Sequence, residues 1–180
     1  MKVRNKKLVL AAMLSALSVA VGFAFIAVPN IEFFTATVFI AGAVLGPIYG
    51  MAVGGVAEFI YSAFNPLGAA APPLLVAQVI GMAFSGFMGG MIRSGFRFDR
   101  NSFAKIVLFA AAGFMITLIF DVLTTLSFAV FFTGGSLRKI AASFVYGMGF
   151  YSVHLLANTI IFASVVPIVL MRLKTHTSIE

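Results

Sequence analysis

The feature that most limits the fold of this chain is the length of its uninterrupted apolar runs. The first run, Leu8 to Val28, contains no charged residue, and further long apolar runs follow it. Hydrophobic residues make up 62% of the 180 residues and charged residues only 9%, whereas soluble domains are about half apolar and a quarter charged. Such a chain cannot cover itself with a water-soluble surface. The sequence therefore predicts an all-α integral membrane protein with a single membrane domain, residues 1–180.

The basic residues explain the formal net charge of +7 without a nucleic-acid partner. Ten of the twelve lie in three clusters: Lys2, Arg4, Lys6 and Lys7; Arg93, Arg97, Arg100 and Lys105; and Arg172 and Lys174. Cytoplasmic segments of membrane proteins carry an excess of Lys and Arg. All three clusters are therefore expected in the cytoplasm, at both ends of the chain and in one central loop.

The positions of these clusters predict a compact bundle of six transmembrane helices with both termini cytoplasmic. An even number of crossings must separate the amino terminus from the central loop, and "LGPIYG" at Leu45 to Gly50 supplies a Gly-Pro turn between two short spans. The predicted spans are approximately residues 8–28, 34–45, 48–64, 74–92, 106–132 and 140–170.

Polar residues recur at helical spacing in four of the predicted spans. They are Glu58, Tyr61, Ser62 and Asn65 in the third, Gln78 in the fourth, Asp121, Thr124 and Thr125 in the fifth, and Tyr151, His154 and Asn158 in the sixth. The predicted topology places all of them in the outer half of the membrane. A carboxylate at the centre of a membrane helix costs at least about 2.5 kcal/mol, so intramembrane ionisable residues are candidates for a functional site.

A second interpretation of these residues stays open. In it, Asp121 or Glu58 forms a hydrogen bond with His154 only to hold helices together, and a lone histidine is as typical of a structural contact as of a ligand contact. The shared location of the set beneath "NPLGAAAPP" (Asn65 to Pro73), a predicted outer loop, favours a ligand site.

Small residues form two kinds of stripe. Ala12, Ala16 and Ala20 recur every four residues in the first span, which lets another helix approach closely. Glycines repeat at the same spacing from Gly42 to Gly54 and again at Gly86 and Gly90, where packing inside the bundle explains them.

Several kinds of catalytic site are missing from the sequence. It contains no G-x-x-x-x-G-K-[ST], no H-E-x-x-H, no G-x-S-x-G and no cysteine. We therefore expect no enzymatic activity, no metal site and no bound cofactor.

Taken in order, the motifs resemble the substrate-binding S components of energy-coupling-factor (ECF) vitamin transporters. The resemblance extends over the chain: a basic start, the alanine stripe, "PNIEFFT", "LGPIYG", "NPLGAAAPP", "FDVLTTL" and a long last helix with a basic end.

The resemblance implies a subunit of an ABC-type importer in a bacterial or archaeal cytoplasmic membrane. It implies a ligand pocket near the outer surface, with "NPLGAAAPP" as its lid and with Asn30 and Glu32 on the opposite rim. It also implies a transmembrane coupling subunit, bound to two ATPases, that docks on Ala12, Ala16 and Ala20. Toppling of the S component in the membrane would carry the pocket inward.

The sequence leaves the substrate open. The scarcity of Lys and Arg near the predicted pocket argues against a strongly anionic ligand, whereas Glu58 and Asp121 suit a cationic or hydrogen-bond-donating one. A small vitamin or precursor and a corrinoid, for which His154 would be an axial ligand, both remain possible. A stand-alone channel or secondary carrier, and a structural membrane scaffold, are the competing functions.

Overall fold

The computed structural model describes residues 3–95 and 103–176, which form six α-helices. They are α1 (Val3–Ala24), α2 (Phe34–Leu45), α3 (Pro47–Ala63), α4 (Pro72–Gly95), α5 (Phe103–Thr133) and α6 (Leu137–His176). No strand occurs within these two ranges. The predicted all-helical fold is therefore confirmed for the described residues, whereas Arg97 and Arg100 of the central basic cluster, and Lys2, lie outside them.

Helices α2 and α3 form a tight hairpin around a single residue. Gly46 joins them with a φ of 97°, a backbone conformation that residues other than glycine rarely adopt. Pro47 then begins α3, where its missing N–H would have no partner inside the helix in any case. The predicted turn in "LGPIYG" is thus formed by Gly46 and Pro47.

Helix α2 is the centre of the bundle. It packs against α1, α3, α4 and α6, and most of its side chains are buried. Phe39 is fully buried and packs against Phe109 of α5 and Phe162 of α6. At about 1.5 Å per residue, twelve residues extend only about 18 Å, less than the hydrocarbon core of a bilayer. Because its neighbours surround it, α2 need not expose its ends to lipid.

Glycines bring α2, α3 and α4 into backbone contact. A Cβ added to Gly42 would lie 1.9 Å from the carbonyl oxygen of Gly86, and one added to Gly86 would lie 2.0 Å from that of Gly50. Ordinary van der Waals contact begins near 3.4 Å, so no side chain fits at these positions. The predicted role in packing is confirmed for Gly42, Gly50, Gly54, Gly86 and Gly90, whereas a Cβ at Gly46, in the turn, would meet no atom within 4 Å.

Four of the described helices are long and apolar enough to cross a membrane. They are α1, α4, α5 and α6, taken over Arg4–Ala24, Pro72–Ile92, Phe103–Thr133 and Leu137–Leu173. Pro72 and Pro73 belong to the first turn of α4 and not to the preceding loop as predicted. The reason is that the first helical turn accepts proline, whose N–H would be unpaired there.

Candidate functional site

Three connections meet at one end of the bundle, which we call the loop end. They are the α1–α2 loop (25–33), the α3–α4 loop (64–71) and the α5–α6 turn (134–136). The first two loops line a cavity of about 450 Å³ together with side chains of α3, α4, α5 and α6. The loop end therefore contains a chamber of the size that small-molecule sites usually have.

Glu32 connects the α1–α2 loop to two helices. Its carboxylate accepts hydrogen bonds from the backbone N–H of Thr35 at 2.8 Å and from the Thr35 hydroxyl at 2.5 Å, which satisfies a free donor at the start of α2. The Nδ2 amide of Asn158 in α6 donates to the same carboxylate at 3.2 Å. The loop is thereby fixed against both α2 and α6.

His154 in α6 lies between two carboxylates. Its Nδ1 is 2.8 Å from Oδ1 of Asp121 in α5, and its Nε2 is 3.7 Å from Oε1 of Glu32. The ring of Phe120 packs edge-on against the imidazole, with 6.2 Å between centroids. One ring thus joins α5, α6 and the α1–α2 loop, and the hydrogen bond between Asp121 and His154 that the structural interpretation expected is present.

Glu58 of α3 is a buried carboxylate that lines the cavity. Its residue is only 3% exposed, and Oε1 accepts a hydrogen bond from the Ser62 hydroxyl at 2.6 Å. One turn of the helix away, the Tyr61 ring lies 5.1 Å from both Phe23 and Phe34. The acid is therefore held at the wall of a chamber whose neighbouring surface is aromatic.

A second, larger cavity of about 830 Å³ lies between the loop-end halves of α4, α5 and α6. It is lined by Thr125 and Tyr151, whose hydroxyls are 2.5 Å apart, and by Lys139 near the start of α6. Gln78 and Phe120 line both cavities. These two side chains therefore form part of the wall between the chambers.

The twelve side chains predicted to bind substrate fall into three groups. Seven line the smaller cavity: Asn30, Glu32, Glu58, Tyr61, Asn65, Gln78 and His154. Thr125 and Tyr151 line the larger one, which Gln78 also reaches. Ser62, Asp121 and Asn158 line neither cavity and instead hydrogen-bond to residues that line the smaller one.

The sequence did not single out several residues of the smaller cavity. Thr35, Phe34 and Phe120 line it although none of them was predicted to do so. Thr35 follows Glu32 at the i+3 spacing that places two side chains on one helical turn, which is a usable signal. The two phenylalanines are indistinguishable in sequence from the other 19.

Glu32 lies in the α1–α2 loop, and its contacts with α2 and α6 determine its ionisation. Burial alone would raise the pKa of this carboxyl, but the hydrogen bond and charge of His154, with the two bonds from Thr35, outweigh burial and lower the pKa below the ordinary 4.5. Glu32 is therefore an anion at neutral pH.

Among the described residues, no group of three His, Asp or Glu side chains is arranged to hold a metal ion.

The alanine stripe of α1 lies on the outside of the bundle. Ala12, Ala16 and Ala20 are all exposed, whereas Ser15 and Ser18 on the opposite side are buried and bond to the backbone of their own helix. The smooth face of α1 is thus not covered by the described part of this chain.

Comparison with known proteins identifies the family. The sequence profile described as "ECF transporter, substrate-specific component" matches residues 6–172, which is most of the chain. No curated protein and no solved structure matches. The predicted resemblance is confirmed by this match, which agrees with the apolar helices of a multi-pass membrane protein. The chain belongs to the substrate-specific components of ECF transporters.

Proposed function

We propose that this subunit captures a vitamin-sized solute in the cavity of about 450 Å³ at the loop end and delivers it with a coupling subunit and two ATPases. The observation that carries the proposal is the chamber itself. Two loops cover it, and its wall holds the buried carboxylate of Glu58 and the imidazole of His154. A bundle that needed polar contacts only for packing has no reason to leave such a space between them.

The chamber favours a small vitamin or precursor over a corrinoid. Its volume is near the lower end of the range for drug-sized ligands, about 300–1,000 Å³. Both nitrogens of His154 also face carboxylates, Nδ1 towards Asp121 and Nε2 towards Glu32. Nδ1 is therefore occupied by its hydrogen bond, and an axial bond from Nε2 to a corrinoid metal would compete with the facing Glu32 carboxylate.

The proposal includes the orientation of the chain and its docking surface. All six helices would traverse a bacterial or archaeal cytoplasmic membrane as one domain, with both termini inside and the loop end outside. The exposed stripe of Ala12, Ala16 and Ala20 would receive the coupling subunit, because small side chains let helices approach closely.

The test is uptake into vesicles of defined composition. The compound retained by the purified protein is extracted, identified by mass spectrometry and offered in isotope-labelled form. Vesicles that contain this protein, the coupling subunit and both ATPases should accumulate it only when ATP is supplied. Equal uptake by vesicles that contain this protein alone would instead support a stand-alone carrier.

A further inference from the structure

We propose that the occupant of the smaller cavity is an organic cation, a molecule with a protonated or quaternary nitrogen that lies against Glu58 and Glu32. This inference rests on the proposed function, because it assumes that the cavity holds a solute. It adds the chemical class of that solute, which neither the family nor the fold assigns.

The side chains around the chamber are more acidic than basic. Glu32 and Glu58 line it, and Asp121 lies directly behind His154. Among the described residues, no Lys or Arg lines this cavity, so the His154 imidazolium is the only cation that its wall can supply. Two acidic side chains thus line the chamber and a third lies behind its wall, whereas the described lining residues supply at most one positive charge.

Glu58 has few hydrogen-bond partners among the described residues. In the part of the chain that the structure describes, the hydroxyl of Ser62 is its only hydrogen-bond donor and bonds to Oε1 alone. The Glu58 side chain is buried, with the residue only 3% exposed, yet it borders the chamber. An ionised carboxylate in that position requires a positive partner, which a ligand can provide.

A further feature is the kind of polar atom that is left without a partner. Oδ2 of Asp121 and Oδ1 of Asn158 are buried and accept no hydrogen bond within the described residues. The amide of Asn158 is oriented by its own donation to Glu32, so the unpaired atom is its oxygen. Oε1 of Gln78, which lines the chamber, is likewise buried without a partner among those residues, so unpaired acceptor oxygens lie both in the chamber wall and behind it.

The chamber also has an aromatic surface. Phe25, Phe34, Tyr61 and Phe120 line the same chamber as the two glutamates. Aromatic faces attract cations, and they also pack against flat apolar rings. A compact cation with an aromatic portion matches both the charge and the walls.

The larger cavity has the opposite character. Lys139 lines it, and its ammonium donates to the backbone carbonyl of Thr133. Among the described residues that line the two cavities, Lys139 is the only lysine, and it lies in the larger one. Gln78 and Phe120 separate it from the smaller cavity, so an anionic solute would be expected in the larger cavity. The smaller chamber thus suits a cationic ligand and the larger one an anionic ligand.

The test uses a small-molecule extract of yeast separated by ion exchange into cationic, neutral and anionic fractions. The thermal unfolding of the purified protein is measured with each fraction. The cationic fraction should raise the melting temperature by about 5 °C or more once its binding component reaches about a hundred times its Kd. The neutral and anionic fractions should not.

The outcomes separate the two levels of inference. A rise with the neutral or anionic fraction and none with the cationic fraction overturns the cation but leaves solute capture intact. No rise with any fraction contradicts solute capture itself, and the cation with it.

Two variants connect the effect to the carboxylates. Glu58→Gln and Glu32→Gln keep the shape but remove the charge, so the affinity for the active cationic fraction should fall about ten- to a hundredfold. Glu180→Gln removes a carboxylate from the end of the sequence, outside the described residues, and should match the unaltered protein. Unchanged affinity in both folded cavity variants would overturn the assignment to these acids.

Discussion

At the scale of single residues, Glu32 is the contact that orders the α1–α2 loop. It accepts from Thr35 in α2 and from Asn158 in α6, and its carboxylate faces His154. A short loop is therefore held by side-chain bonds that all depend on one ionised group. The stability of the loop end should follow the ionisation of that group.

Acid should destabilise the protein in part through Glu32. Because its pKa is lowered in the folded state, its contribution is present above the unfolded value of 4.5 and is lost as pH falls through the folded value. The melting temperature in detergent, measured from about pH 6 to about pH 3.5, should fall less steeply in Glu32→Gln.

The control for this experiment is Glu180→Gln, which also removes one carboxylate and should keep the steep acid dependence of the unaltered protein. Superimposable profiles for Glu32→Gln and the unaltered protein would show that Glu32 contributes no such stabilisation.

At the scale of elements, small residues serve two different purposes in this bundle. Glycines of α2, α3 and α4 let three backbones touch inside the bundle, whereas the alanines of α1 lie on its surface. The same sequence pattern therefore serves internal packing in one place and leaves an open face in the other.

Gly86→Ala should destabilise the fold. The new methyl group would lie 2.0 Å from the carbonyl oxygen of Gly50, and backbone cannot move aside as a flexible side chain can. Overpacking of this kind costs about 1–3 kcal/mol or more, so the melting temperature should drop by several degrees. Gly149→Ala is the matched control.

The control differs because a Cβ at Gly149 meets no atom within 4 Å. Alanine is favoured over glycine inside a helix by up to about 1 kcal/mol, so this variant should be as stable as the unaltered protein or more so. Equal melting temperatures for Gly86→Ala and the unaltered protein would contradict the close packing of α3 and α4.

Ala16→Leu should separate transport from folding. The residue is exposed, so the larger side chain meets no other helix of the chain and stability should be unchanged. If the stripe is the docking surface, ATP-dependent uptake and co-purification of the ATPases should fall sharply.

Ala111→Leu adds the same bulk to an exposed position of α5 and serves as the control for uptake. Normal transport by Ala16→Leu, or an equal loss in Ala111→Leu, would argue against docking on the alanine stripe.

At the scale of the whole molecule, the acidic side chains and the histidine inside the described bundle, Glu32, Glu58, Asp121 and His154, lie together at the loop end. The two loops and the loop-end halves of α3, α4, α5 and α6 line the smaller chamber, and the opposite end of α1 carries Arg4, Lys6 and Lys7. This polarity is what a subunit that binds on one side of a membrane requires.

Cysteine labelling of intact cells should establish which end faces outward. The natural sequence has no cysteine, so Leu67→Cys, Leu137→Cys and Phe103→Cys can be labelled without background. All three residues are at least 78% exposed. Gly68 and Gly134 are less suitable because their positive φ angles would strain a cysteine.

An impermeant thiol reagent should label the cysteines at positions 67 and 137 in intact cells, and the one at position 103 only after the membrane is opened. Labelling at 103 from outside, together with protection at 67, would reverse the proposed orientation.

The sequence by itself determined the helical membrane character, the family and most of the polar side chains that line the smaller chamber. Apolar runs and their breaks follow from the cost of exposing backbone and side chains to the wrong solvent, which is a local property of the chain. Helical spacing likewise placed Glu58, Tyr61 and Asn65 on one face, and all three line the cavity.

Only the tertiary structure decided which polar groups pair. The sequence left open whether Asp121 contacts ligand or His154, and in the structure it bonds to His154. Asn158 bonds to Glu32, which is 126 residues away. The structure also selected Phe34 and Phe120 from 21 phenylalanines and divided the polar space into two chambers. Such choices depend on how helices distant in sequence cross and rotate, and helical periodicity within one segment contains no information about that geometry.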